Sequence, residues 1–86
     1  MKFYAYMLRC SDDSIYSGYT TDLKRREDMH NAGKASKCTR SRRPVHMVYY
    51  EEFESKSEAL RREAAFKKLS RKEKEALIEG FLFQFP

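Results

Sequence analysis

Phe3-Tyr4-Ala5-Tyr6-Met7-Leu8-Arg9 and, beyond Ser11-Asp12-Asp13-Ser14, the run Ile15-Tyr16-Ser17-Gly18-Tyr19 decide the fold. The first run alternates Phe3, Ala5 and Met7 on one side with Tyr4, Tyr6 and Leu8 on the other, an aromatic-rich strand pattern. The polar residues between the two runs are turn formers, so the pair predicts an antiparallel hairpin. In such a hairpin Tyr6 and Tyr16 come within a few residues of facing each other. Gly18 permits close backbone approach, or a bulge where the second strand leaves the sheet.

Thr20, Thr21 or Asp22 can cap a helix over about 22–32, which Gly33 can end. At helical spacing Leu23, Arg26 and His30 share one face of it. Residues 33–44 read as an irregular basic loop closed by Pro44. A third strand runs from Val45 to Phe53, with Val45, Met47 and Tyr49 on one face and His46, Val48 and Tyr50 on the other. Ser55-Lys56-Ser57-Glu58 and Ser70-Arg71-Lys72-Glu73 each fit a capping box, predicting helices over 56–69 and from 70 to Gly80. The order is β-β-α-β-α-α, an α+β domain over 1–80 with a three-stranded antiparallel sheet flanked by helices. The tail Phe81-Leu82-Phe83-Gln84-Phe85-Pro86 is apolar enough to need a surface, either its own domain or a partner. Self-association or a protein partner would use Phe81, Leu82, Phe83 and Phe85.

Eighty-six residues make one domain with a thin core, since a chain this short buries only roughly 60% of its unfolded surface. The net charge of +5 is unevenly placed. Lys24, Arg25, Arg26, Lys34, Lys37, Arg40, Arg42 and Arg43 face only Glu27 and Asp28, so residues 24–43 carry +6. A local patch of that size suits nucleic acid. Cys10 and Cys38 form no metal-ligand motif, which argues against structural zinc and fits a reducing, cytoplasmic setting. No apolar run approaches the ~20 residues of a membrane span, and the N-terminus runs straight into a strand rather than a signal core.

The chemistry-bearing residues follow that order along the chain. Glu63 projects into a stripe made by Ala59, Leu60 and Phe66. A carboxylate there is paired with an arginine, reaches water at the stripe's edge, or holds a hard cation such as Mg²⁺. Arg26 is a solvated helix cation or a guanidinium that grips a phosphate bidentately. His30 is a packed histidine, or it orients a phenol and relays a proton. Tyr6 and Tyr16 are sheet aromatics, or they position or deprotonate water. A free phenol has a pKa of ~10, so the second role needs positive charge from Arg26, His30 and a metal on Glu63. Lys24, Arg25, Lys34, Lys37, Arg40, Arg42 and Arg43 would grip the phosphate backbone without reading sequence.

Taken together, Tyr4-Ala5-Tyr6, Tyr16-Ser17-Gly18, the run Thr20 to Arg26, His30, and Glu58-Ala59-Leu60-Arg61-Arg62-Glu63 resemble the GIY-YIG nuclease domain. That domain occurs in intron-homing endonucleases and excision-repair nucleases, and the likeness is to small stand-alone bacterial members. The resemblance spans roughly residues 3–69. It implies metal-dependent endonuclease hydrolysis of phosphodiesters in nucleic acid, DNA before RNA, weak or structure-selective, with a place in DNA repair or recombination. Tyr16 would activate water with Tyr6 and His30 assisting, Arg26 would steady the phosphate, and Glu63 would hold one Mg²⁺ or Mn²⁺. The alternative is a non-catalytic nucleic-acid-binding module on the same fold. The chain departs from the family in lacking Gly-Ile in the first tripeptide. It also has Glu27 after the arginine, where a bulky apolar residue is usual; this predicts looser packing of that helix.

Overall fold

The computed structural model describes residues 1–86. Strand β1 (Phe3–Arg9) lies between β2 (Ile15–Thr20) and β3 (His46–Phe53), and both pairings are antiparallel. The element order is the α+β arrangement the sequence predicts. Helices α1 (Leu23–Asn31), α3 (Lys56–Lys68) and α4 (Arg71–Glu79) surround the sheet. The hairpin turn holds because the Asp12 carboxylate accepts from the Ser14 amide at 3.0 Å and from its hydroxyl at 2.6 Å. Asp13 takes the left-handed conformation at φ 71°, which Asp tolerates better than most residues.

The central strand buries both faces, and two cores result. Tyr4, Tyr6 and Leu8 join Leu23, Val45 and Met47 on the α1 side, where Phe83 and Phe85 of the tail pack against them. Ala5 and Met7 join Tyr49 and Phe66 on the side of α3 and α4, with Leu69, Leu77, Ile78 and Phe81 packed around. The strict alternation expected of β3 fails at one point. Tyr49 pairs with Met7 and Met47 with Leu8, so Val48 has no partner in β1. This one-residue bulge puts Met47 and Tyr49 on opposite faces, because an extra residue reverses the side-chain parity beyond it.

Helix α1 starts at Asp22, whose carboxylate accepts from the Arg25 amide at 3.1 Å. It stops where Gly33 adopts φ +77°, letting Gly33 and Lys34 donate to the His30 and Met29 carbonyls. Glu27 does not loosen this helix. Its carboxylate accepts from the Met47 amide at 2.8 Å, and Asn31 exchanges two bonds with the Val45 backbone. A polar clamp therefore docks α1 on β3 where an apolar contact was expected.

Part of the basic loop is ordered as a one-turn helix, α2 (Lys37–Arg40), capped by Ser36. Residues 70–73 form a complete capping box, whereas Glu58 turns its carboxylate to the Ser55 hydroxyl instead of the backbone. Leu60 stands 39% exposed, so the buried residues of α3 are Ala59 and Phe66, with Glu63 partly buried between them. The tail folds back on its own domain. Phe81, Phe83 and Phe85 point inward, the Tyr50 hydroxyl donates to the Gln84 carbonyl at 2.9 Å, and only Leu82, at 96% exposure, is free among the tail's large apolar residues. No helix is long and apolar enough to cross a membrane.

Candidate active site

Pairing in the hairpin sets Tyr6 opposite Gly18 and Leu8 opposite Tyr16, so both phenols lie on the α1 side of the sheet. The absence of a side chain at Gly18 is what makes room for the first phenol. A Cβ there would meet the Tyr6 Cζ at 2.5 Å and clash with its hydroxyl. His30 comes down from α1 between the two phenols. Its Nε2 is 2.9 Å from the Tyr6 hydroxyl, and its ring stands edge-on to Tyr16 with centroids 5.2 Å apart.

The proton on this histidine is fixed by a residue that the sequence did not single out. Thr39, on α2, is 1% exposed and its Oγ1 lies 2.8 Å from His30 Nδ1. Its own proton goes to the Ser36 carbonyl at 3.3 Å. With its proton donated to Ser36, Thr39 accepts from Nδ1–H and Nε2 is left to accept from Tyr6. Burial first, and then the nearby Arg26 charge, lower His30 to about 4. It is neutral near pH 7, so it does not supply the positive charge expected of it. Tyr6, 2% exposed, is pushed up by burial, by Tyr16 and by Glu63, with Arg26 opposing. These effects together favour its protonated form, a hydrogen-bond donor.

Arg26 is half-buried and makes no ion pair, whereas Arg9, Arg42, Arg62 and Arg71 all have carboxylate partners. It lines a cleft of about 260 Å³ with Thr20, Thr21 and Asp22. Its charge is felt at both Tyr6 and His30.

Glu63 reaches this group from the other layer. Its stripe on α3 faces β1 and β2, and its carboxylate is close enough to oppose ionisation of Tyr6. Small residues thin the sheet at that edge: Gly18 on the α1 side and Ser17, opposite Met7, on the α3 side. No enclosed cavity joins all five groups. Of the five, only Arg26 lines a cleft, while Tyr6 and His30 are buried.

The Glu63 side chain is 20% exposed, with one cation, Lys67, at 3.4 Å. No cluster of three or more His, Cys, Asp or Glu surrounds it. A single carboxylate suits Mg²⁺ or Mn²⁺, which keep waters and take phosphate oxygens, and does not suit structural zinc. Ser17 Oγ, under α3, is the one buried side-chain oxygen without a partner, a spare donor or acceptor on the same face. The residues present therefore fit a hard divalent ion.

The basic residues divide into two sets. Arg43 is structural, donating to the Arg40 carbonyl at 2.7 Å and the Asn31 carbonyl at 3.2 Å, and Arg42 pairs with Asp12 at 3.3 Å. Lys24 pairs with Glu27 at 3.3 Å and Asp28 at 3.1 Å. Arg25, Lys34, Lys37 and Arg40 have no carboxylate partner and remain available to an outside polyanion.

Against known proteins, a model of the GIY-YIG catalytic domain matches residues 2–76. The chain is 59% identical over 73 residues to a UPF0213 protein of Listeria monocytogenes, covering 85% of this chain and 81% of that one. It is 53% identical over 78 residues to a UPF0213 protein of Staphylococcus haemolyticus, covering 91% and 95%. Among solved structures, the protein EF2693 from E. faecalis is 51% identical with a TM-score of 0.62, covering 94% of this chain and 86% of that one. The UPF0213 protein BH0048 from Bacillus halodurans is 48% identical with a TM-score of 0.58, covering 92% and 84%.

Proposed function

The chain belongs to the GIY-YIG catalytic-domain family, a family of nucleases, and from that premise we propose that it is an endonuclease that uses one divalent ion to hydrolyse phosphodiesters in DNA. The observation that carries this reading is Arg26, a half-buried guanidinium with no internal partner, within electrostatic reach of Tyr6 and His30. The structural arginines have internal acceptors, Arg43 the Arg40 and Asn31 carbonyls and Arg62 the Glu51 carboxylate. Arg26 is left free for a phosphate, which its fork can hold bidentately while charge builds on the phosphoryl oxygens.

Tyr6 acts by position. It donates to neutral His30, and that bond holds the imidazole edge against Tyr16. Tyr16, half-buried at the outer strand, is the phenol with access to an attacking water, and its role is to orient that water and take its proton. Glu63 would hold the Mg²⁺ or Mn²⁺ in place of its Lys67 pair, with the Ser17 hydroxyl as a further polar group on the same face. When bound, the ion supplies Lewis-acid stabilisation of the phosphoryl oxygens. Arg25, Lys34, Lys37 and Arg40 grip the backbone without reading bases, so cleavage is weak or governed by nucleic-acid structure rather than sequence. A cytoplasmic role in DNA repair or recombination belongs to the same proposal.

The test is cleavage of branched and single-stranded DNA with Mg²⁺ or Mn²⁺, with Glu63→Gln as control. Cleavage that Glu63→Gln abolishes, while binding stays near that of the parent, is the expected result. Tight binding with no cleavage of any substrate would instead identify a non-catalytic binding module.

A further inference from the structure

Two clefts meet at the Thr21–Asp22 turn. The first contains Arg26; the second, of about 270 Å³, shares Thr21 and Asp22 with it and adds Tyr4, Leu23, Lys24, Phe85 and Pro86. We propose that this second cleft is a nucleobase subsite, taking one unpaired base, stacked on Phe85, from the strand whose phosphate Arg26 holds. The proposal rests on the nuclease reading above and deepens it by naming the part of the substrate recognised.

Size and lining both favour a single planar ring. The volume falls below the roughly 300–1,000 Å³ typical of clefts for whole drug-sized ligands. The floor is rigid, because Tyr4 and Leu23 belong to the core. The Asp22 carboxylate is turned to the helix, where it caps the Arg25 amide, so the walls are mainly aromatic and aliphatic. Phe85 is held in place edge-on to Phe83, with centroids 4.8 Å apart, and the adjoining Gln84 carbonyl is pinned by Tyr50. An aromatic face fixed in advance lets a base stack at little entropic cost. The Lys24 ammonium stands over the Phe85 ring, 5.5 Å from its centroid, while pairing with Glu27 and Asp28, so a base entering on that face would take its place on the ring. A duplex keeps its bases stacked inside, so only an unpaired or frayed strand can use this subsite. Stacking tolerates any base, which matches a grip without sequence readout. Phe85 and Pro86 lie beyond the residues 2–76 shared with the family, so this wall is an addition to the common domain.

The test uses the whole chain in chelator, so that nothing is cut, and a single-stranded oligonucleotide carrying one 2-aminopurine. Binding should quench the probe. Phe85→Ala should weaken single-strand binding about 5- to 150-fold, the range for losing one base–aromatic stack. The quench should disappear, the salt slope and duplex binding should stay unchanged, and Phe85→Trp should retain both affinity and quench. Phe85→Leu keeps an apolar anchor for the tail without a ring face, and it should lose the same affinity at an unchanged melting temperature. Single-strand affinity and quenching equal to the parent in Phe85→Leu and Phe85→Ala would overturn the subsite while leaving the nuclease intact if Mg²⁺-dependent cleavage persists. A concentration-dependent dimer that Phe85→Ala abolishes would assign the cleft to a second copy instead. Failure of the parent to bind any nucleic acid would overturn both proposals.

Discussion

Replacing Thr39 by valine removes one oxygen from the interior and should disturb the proton order of the whole phenol–imidazole group. That oxygen is the only partner of His30 Nδ1, at 2.8 Å, in a region where both residues are 1% exposed. Without it, either Nδ1–H is buried unpaired or the ring adopts the other tautomer. In the second case Nε2–H can no longer accept from Tyr6. Leaving a buried donor unsatisfied costs about 1–3 kcal/mol, and valine fills nearly the same volume, so little of the loss comes from a cavity. Urea unfolding should register that loss for Thr39→Val. Thr39→Ser, which keeps the oxygen and removes one methyl, should lose no more than about 1 kcal/mol. Nitrogen NMR of the imidazole reads the tautomer directly: the parent should show protonated Nδ1 and free Nε2, and Thr39→Val should change that pattern. A Thr39→Val protein as stable as the parent, with unchanged ring shifts, would refute the chain of bonds from Tyr6 to Ser36.

Gly18→Ala should displace the Tyr6 ring and break its bond to His30, lowering activity and costing about 1–3 kcal/mol of stability in urea. Unchanged stability and rate would show that Tyr6 can move aside freely. Arg26→Lys keeps the charge but loses the fork, and cleavage should fall on the order of 10²–10³-fold; a fall below tenfold would remove Arg26 from the phosphate. Because His30 is lowered to about 4, the unfolded chain takes up its proton first as pH falls. Stability is therefore full above about 6.5 and declines toward 4, by at most about 3 kcal/mol. Glu75, held near 2 chiefly by its Arg9 hydrogen bonds, loses its stabilising contribution only as pH falls below about 4.5, and His30→Phe should flatten the urea midpoint across the upper window alone. Lys37→Ala with Arg40→Ala should reduce the salt slope of DNA binding by ~0.9 for each phosphate no longer neutralised. Arg43→Ala should chiefly destabilise the fold, and an equal effect of all three on the slope would count against dividing the basic residues into two sets.

The sequence was most legible where period and punctuation agree. Alternation gave the hairpin, Asp22 and Gly33 bounded α1, and the Ser70–Glu73 box started α4. It misled where an interaction crosses between distant elements. Nothing local marks Val48 as a bulge, because its strand alternates cleanly and only pairing with β1 shows the extra residue. Glu27 looked like a misplaced charge because its acceptor role is toward the Met47 amide, twenty residues away. Arg42 and Arg43 read as free cations because their partners lie in a turn and in helix-end carbonyls. For the site, Tyr6, Tyr16, Arg26 and His30 could be placed from the hairpin and one helix face. Thr39 could not, since a threonine in a basic loop carries no sign of burial; Ser36 as a possible cap was the one available hint.

The central claim is that α1 and α3, on opposite layers, deliver their groups to one edge at β2. Mn²⁺ titration followed by amide NMR tests this directly, because the ion broadens nearby signals whether or not the protein turns over. The expected result is selective loss of the Tyr16, Ser17, Gly18 and Glu63 signals, abolished by Glu63→Gln. Broadening centred on Asp12, Asp13 and Glu75 instead, or left intact by Glu63→Gln, would contradict it.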